Sequence, residues 1–137
     1  MKVIDASVVC KWFVQEVHTD LALVLRDAAL RGEEELVAPD LLIIEVANAL
    51  RWKKSFDEPS VSRAVRDIVN LGVDIVTPTL GLVSSAVLTA YENKLTVYDA
   101  LYVTLARDID AQLVTADEKL IGTFEKTGLV LPLSVLH

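Results

Sequence analysis

Short apolar runs recur along the chain with helical stretches between them: Val3-Ile4, Leu36-Val37-Ala38, Asp74-Ile75-Val76, residues 112–115 and residues 129–131. They lack the polar/apolar alternation of a strand with one wet face. Strands of this kind are covered on both sides, which is the mark of a parallel sheet lying between helices. The tight-turn dipeptides that join antiparallel strands are missing. The expected fold class is therefore α/β, a three-layer α/β/α domain around a central parallel sheet. In such folds, sites form at the carboxyl ends of the strands. The length of 137 residues fits one domain, 1–137. Hydrophobic residues make up 53% of the chain and aromatics only 6%, so aliphatic side chains must build the core.

The intervening stretches predict helices over 6–15, over 21–31 closed by Gly32, and over 41–54 opened by Asp40 as an N-cap. Helix 41–54 starts apolar almost all the way round, which predicts deep packing. Further helices are expected over 60–71, closed by Gly72, and over 80–92, with Ala86, Val87, Ala90 and Tyr91 on one face. Thr96 opens VYDALYVTLARD, and a short helix is expected over 117–125. Residues 55–59 and the acidic run Glu33-Glu34-Glu35 read as loops.

No apolar run reaches the roughly 18–20 residues of a membrane span, and the N-terminus lacks a signal-peptide pattern. A cytoplasmic protein is expected. Cys10 is the only cysteine, so no internal disulfide can form. Among Val8, Val9, Trp12 and Phe13 it reads as buried filler. His18 and His137 are too isolated for a zinc site or a triad, and His137, the last residue, is expected to fray. Thirteen basic against twenty acidic residues give a net charge of −7. That excludes a generally basic nucleic-acid-binding face. It leaves either an ordinary solvated surface or acids gathered in one cation-binding pocket.

Four acids carry that second reading. Asp5 ends the first strand, Asp117 follows the strand at 112–115, and Asp99 sits three residues after Thr96. Glu45 lies in LLIIEVANAL, where a solvated face is hard to find. Each has a plainer role. Asp5 and Asp117 can cap helices, Thr96 to Asp99 has the spacing of a capping box, and Glu45 can sit on a wet helix edge. Capping and ligation do not exclude each other. Gathered carboxylates repel and raise each other's pKa unless a cation neutralises them. Oxygen ligands without nearby Cys or His favour Mg²⁺ or Mn²⁺, which activates water for in-line displacement at phosphorus. Ser7 and Thr115, two residues from Asp5 and Asp117, suit either orientation of that site or local turn bonding. There is no histidine placed to activate a serine, and no phosphate-loop or dinucleotide glycine pattern.

VIDASVVCKWF, APDLLIIEVANALRW, LTVYDALYVTLARD and LVTADEKL, in this order and spacing, resemble the PIN-domain family, and within it the VapC-type toxins of prokaryotic type II toxin–antitoxin pairs. The resemblance covers essentially the whole chain. It implies a Mg²⁺- or Mn²⁺-dependent ribonuclease in which Asp5, Asp99 and Asp117 hold metal. Glu45 completes the pocket and positions or deprotonates water, while Ser7 and Thr115 match supporting polar positions. It also implies an RNA substrate, a VapB-like antitoxin whose tail blocks the pocket, and a homodimer, with no membrane involvement. Trp12 and Trp52 read as core residues, Trp52 less so beside Arg51, Lys53 and Lys54, with contact to a partner or RNA as the alternative. Lys11, Arg51, Lys53, Lys54, Lys94 and Lys119 are candidates for phosphate contacts, against the plainer reading of solvated helix ends. Two other classes compete: a PIN-fold binding module without turnover, and a phosphatase of the haloacid dehalogenase type. The latter wants a second aspartate where Ser7 stands.

Overall fold

The shortest strands can hold the centre of a sheet when every side chain they offer is buried. β1 (Lys2–Ile4) does this, with Val3 and Ile4 fully buried. In the computed structural model, which describes residues 1–136, β1 pairs in parallel with β2 (Leu36–Pro39) on one side and β4 (Gln112–Thr115) on the other. β3 (Val73–Val76) and β5 (Val130–Pro132) form the edges, giving the order β3-β2-β1-β4-β5, parallel throughout. His137 lies outside the described residues. The chain winds outward from β1 through β2 to β3, then returns to the other side of β1 with β4. The reversal leaves a crevice between the carboxyl ends of β1 and β4, the place where such sheets carry sites.

Seven α-helices cover the sheet among the described residues: α1 (Ala6–Val9), α2 (Thr19–Leu30), α3 (Leu41–Arg51), α4 (Glu58–Asn70), α5 (Leu80–Asn93), α6 (Val97–Asp108) and α7 (Glu118–Phe124). The expected three-layer α/β/α arrangement is the observed one. α6 is its pillar. Residues from Ala100 through Ala106 are all buried, because α6 packs on β1, β2 and β4 while α5 covers its other side. Each fully buried aliphatic side chain contributes about 1.5–3 kcal/mol, so this helix fixes its first turn firmly against the crevice.

Several local expectations need correction. The helix over 6–15 stops at Val9 and tightens into a 3₁₀ turn, Cys10–Trp12. Trp12 is drawn into the core, where its indole N–H donates to the Ala22 carbonyl of α2 at 2.9 Å. Asp40 makes no side-chain cap bond. α3 ends at Arg51 and buries only the stripe Leu42, Val46 and Leu50, leaving Ile44 exposed. Trp52, expected in the core, is exposed with the Arg51 guanidinium stacked 4.4 Å from its ring centre. α4 begins earlier than expected, because Asp57 and Ser60 form a complete capping box and Pro59 is tolerated in the first turn. On α5, Ala86 and Ala90 face inward, but Val87 and Tyr91 are exposed. Cys10 is buried filler, its thiol pushed up to about 11 chiefly by burial.

Candidate active site at the carboxyl edge of the sheet

The backbone turns from β1 into α1 at Asp5, whose extended conformation makes it the N-cap of that helix. Its side chain is buried, yet both oxygens are satisfied. Oδ1 accepts the Ser7 amide at 3.1 Å and the Ser7 hydroxyl at 2.5 Å. Oδ2 accepts the Thr115 hydroxyl at 2.5 Å. The two hydroxyls in turn accept backbone N–H groups from the far strand's exit: Ala116 donates to Ser7 Oγ at 2.9 Å and Asp117 to Thr115 Oγ1 at 3.0 Å. One carboxylate thus ties the ends of β1 and β4 together. Burial raises the Asp5 carboxyl from its ordinary 3.8 to about 6. The Ser7 and Thr115 hydroxyls and the Val8 amide pull it back, and the Asp117 charge pushes it further up.

Asp117 leaves β4 as the N-cap of α7, with Oδ1 accepting the Lys119 and Leu120 amides at 2.9 and 3.1 Å. Asp99 enters from the first turn of α6. Thr96 caps its amide at 3.1 Å, but the reciprocal half of a capping box, complete at Asp57 and Ser60, is not formed. The Asp99 carboxylate is therefore not committed to capping. Its pKa is raised by burial and then by the Asp117 charge, against the Thr96 hydroxyl and the Lys119 cation. Glu45, on the second turn of α3, accepts the Tyr102 hydroxyl at 2.5 Å. Burial raises its pKa, the Tyr102 hydroxyl opposes this, and the Asp99 charge adds to it. Burial pushes the Tyr102 phenol far up, and its hydrogen bond to Glu45 and the charges of Glu45, Asp5 and Asp99 add to this.

Ser7 and Thr115 meet Asp5 at the β1/β4 crevice, and the charges of the sequence-predicted acids act on one another in turn, Asp117 on Asp5, Asp117 on Asp99 and Asp99 on Glu45. Tyr102 joins them unexpectedly. It lies one turn after Asp99 on α6, a spacing that puts both on one helix face. That spacing is visible in the sequence, but tyrosine in an apolar helix reads simply as core.

The donors are all oxygens, the set preferred by hard divalent cations. Among the described residues, none of the four acids has a Lys or Arg ion-pair partner, although the other acids Glu16, Glu33, Glu34 and Asp27 do. Mutually repelling carboxylates without an ion pair, Asp5 buried and the other three partly so, fit a cation. No three of them stand close enough, among the described residues, to form a closed cage. A roomier cleft of about 580 Å³ lies between α3 and α4, lined by Ala47, Phe56 and Val65, but it holds none of these groups.

Residues 2–126 match the family model of the PIN domain, and the chain belongs to that family. It is 30% identical over 135 residues to Ribonuclease VapC3 of Pyrobaculum aerophilum, covering 95% of this chain and 98% of that one. Among solved structures it is similar to Mycobacterium tuberculosis VapC20, a Sarcin-Ricin loop cleaving toxin. The TM-score there is 0.71 at 14% identity, over 95% of this chain and 97% of the other. A toxin–antitoxin complex from Klebsiella pneumoniae gives 0.70 at 14% identity, over 97% and 98% of the two chains. No helix among the described residues is long and apolar enough to cross a membrane.

Proposed function

We propose that this chain is a Mg²⁺- or Mn²⁺-dependent endoribonuclease, the toxin of a type II toxin–antitoxin pair, folded as one domain over residues 1–137. The observation that carries the reading is Asp5, held by Ser7 and Thr115 at the β1/β4 crevice and acted on by the Asp117 charge, in a PIN-domain chain related to a ribonuclease over 95% of its length.

Asp5, Asp99 and Asp117 would hold the metal, which when bound lowers the pKa of water and neutralises charge on the phosphoryl oxygens. The chain's own residues do the rest. Ser7 and Thr115 hold the Asp5 carboxylate in one orientation by donating to its two oxygens. Glu45, with its pKa raised by burial, accepts the proton of the attacking water and is aimed by the Tyr102 hydroxyl. The fixed first turn of α6 keeps Asp99 from drifting as charge develops on the substrate.

The antitoxin is proposed as a VapB-like protein whose tail covers this crevice, in keeping with the toxin–antitoxin complexes among the structural neighbours. A homodimer is supported by the exposed apolar residues Leu80, Leu88 and Tyr91 along α5. The cytoplasm is the compartment proposed. The test is cleavage of single-stranded RNA by the purified chain freed of antitoxin. Mg²⁺ or Mn²⁺ should support it and chelation should stop it. RNA that is bound but never cut would favour the binding-module reading; turnover of a simple phosphate ester but not of RNA would favour a phosphatase.

A further inference from the structure

The carboxylate crevice has a second wall with the opposite sign of charge. On α3, Glu45 and Ala49 are four residues apart and share one face, and Lys53, just past the end of the helix, lines the same cleft. Opposite them, Ser7 and Lys11 repeat the same spacing through α1 and the 3₁₀ turn. The small side chains of Ala6 and Ala49 leave room between the two rows. The result is an open cleft of about 390 Å³ whose lining runs from Ser7 and Glu45 at the catalytic end to Lys11, Glu16 and Lys53 at the other.

Lys11 is unusual for a lysine. Its side chain is only 10% exposed, and such a group is almost never buried unless paired. Its partner is Glu16, whose Oε2 lies 3.2 Å from Lys11 Nζ and whose Oε1 lies 3.2 Å from Lys53 Nζ. One carboxylate is thus gripped by two ammonium groups, one oxygen each. A phosphodiester offers the same two anionic oxygens and the same single charge. The trio has two cations to one anion, paired together in a chain of net charge −7. An RNA backbone repelled by carboxylates needs a cation beside them, and this pair lines the cleft that Glu45 and Ser7 also line.

We propose that Lys11 and Lys53 form a backbone-phosphate subsite for the RNA strand, adjoining the cleavage centre, and that Glu16 is the internal counter-ion which the phosphate displaces. This rests on the ribonuclease reading above. Displacement is an exchange of ion pairs and moves no proton. Glu16 is about one-third exposed and swings into water when released. Both lysines are already held in place, so little side-chain entropy is lost on binding.

The experiment measures binding of a short, mixed-sequence single-stranded RNA across a salt series, in an Asp5→Asn background that prevents cutting. It also measures kcat and KM in the otherwise wild-type chain. Lys53→Gln, at an exposed position that the fold tolerates, weakens binding several-fold. It lowers the slope of log affinity against log salt by about 0.7, the value for one lost phosphate contact on a single strand. KM rises and kcat holds. Glu16→Gln does the reverse and tightens binding. Lys11→Gln follows Lys53→Gln if it folds, and Lys11→Arg restores affinity. An unchanged salt slope in Lys53→Gln overturns the subsite, as does weaker binding by Glu16→Gln, which a purely structural clamp would give. Polyglutamate competing as well as RNA transfers the pair to a protein carboxylate and also overturns it. If wild-type protein cuts RNA while the lysine variants behave as wild type, the subsite alone fails. If wild type never cuts RNA, the ribonuclease reading itself fails.

Discussion

β1 and β2 lie side by side, and each is followed by an aspartate and then a helix: Asp5 before α1, Asp40 before α3. Locally the two junctions read alike. In the fold they differ completely. Asp5 is 6% exposed and accepts three hydrogen bonds. Asp40 is exposed and its side chain caps nothing; its amide donates to the Val76 carbonyl of β3 at 3.0 Å and its carbonyl accepts the Ile43 amide at 3.2 Å. The neighbouring strand makes the difference. β1 borders β4, which ends in the hydroxyl of Thr115, whereas β2 borders β3, which supplies a main-chain carbonyl. An aspartate after a strand becomes a buried, organised carboxylate only where the sheet reverses its order and the adjacent strand offers a donor.

The largest effect should come from removing the charge at the organised junction. Asp5→Asn is expected to lower RNA cleavage by roughly 10²–10³-fold or more, the scale for loss of a group that acts on transition-state charge. It should also stabilise the metal-free fold. In the native chain Asp5 keeps its proton until about pH 6, but in the unfolded chain it gives it up near 3.8. Between those values the native state binds more protons, so stability falls as pH rises through the window and stays low above it. The full cost is about 3 kcal/mol or less. Urea unfolding at pH 7.5 and at pH 4 should find Asp5→Asn the more stable protein at the higher pH, with the gap closing at the lower. An Asn variant that cuts RNA normally, or that is less stable at pH 7.5, would remove the distinction between the two junctions.

Thr115→Val keeps the shape of β4 but deletes the hydroxyl that donates to Asp5 and accepts from Asp117. Loss of a bond to a buried charged group costs about 1.5–3 kcal/mol. Mispositioning a ligand by losing its supporting hydrogen bond lowers activity by about 10–100-fold. Unfolding and cleavage assays on the same preparation should show both losses together. If stability falls and cleavage does not, Thr115 merely joins strands.

The contrast also explains what could be read in advance. The parallel sheet followed from apolar runs such as Leu36-Val37-Ala38, because burial on both faces leaves that pattern in the residues themselves. The strand-end acids followed from the same logic, since a helix start and a sheet edge are both local features. Asp40 failed as a cap because its role depends on where β3 ends. Tyr102 was missed because nothing around it in sequence mentions Glu45, fifty-seven positions away. Trp52 was misplaced because aromatic character alone does not show that α3 ends at Arg51 and leaves the next residue outside. Lys11 and Lys53 were visible singly as candidate cations, but only the fold joins them through Glu16. Periodicity is legible; long-range polar pairing is not.

Asp117 stands between the two extremes, a real cap that also faces the acidic crevice. Asn caps a helix about as well as Asp, while Ala costs about 1 kcal/mol. Asp117→Asn should therefore keep the melting temperature near wild type yet reduce cleavage. Asp117→Ala should lose both. Equal cleavage by the Asn variant and wild type, with a drop only in the Ala variant, would make Asp117 a structural cap and nothing more.

The smallest effect belongs to Asp40, and its smallness is the sharper half of the comparison. With an exposed side chain and no cap bond, Asp40→Ala removes no observed interaction. Its amide bond to Val76 is backbone and survives the change. Stability is expected within about 0.5 kcal/mol of wild type, the range of a surface substitution away from special features, with RNA cleavage unchanged. A loss near the 1 kcal/mol typical of a missing cap would mean that the side chain caps α3 in solution. The two junctions would then differ in the neighbour's hydroxyl alone and no longer in capping.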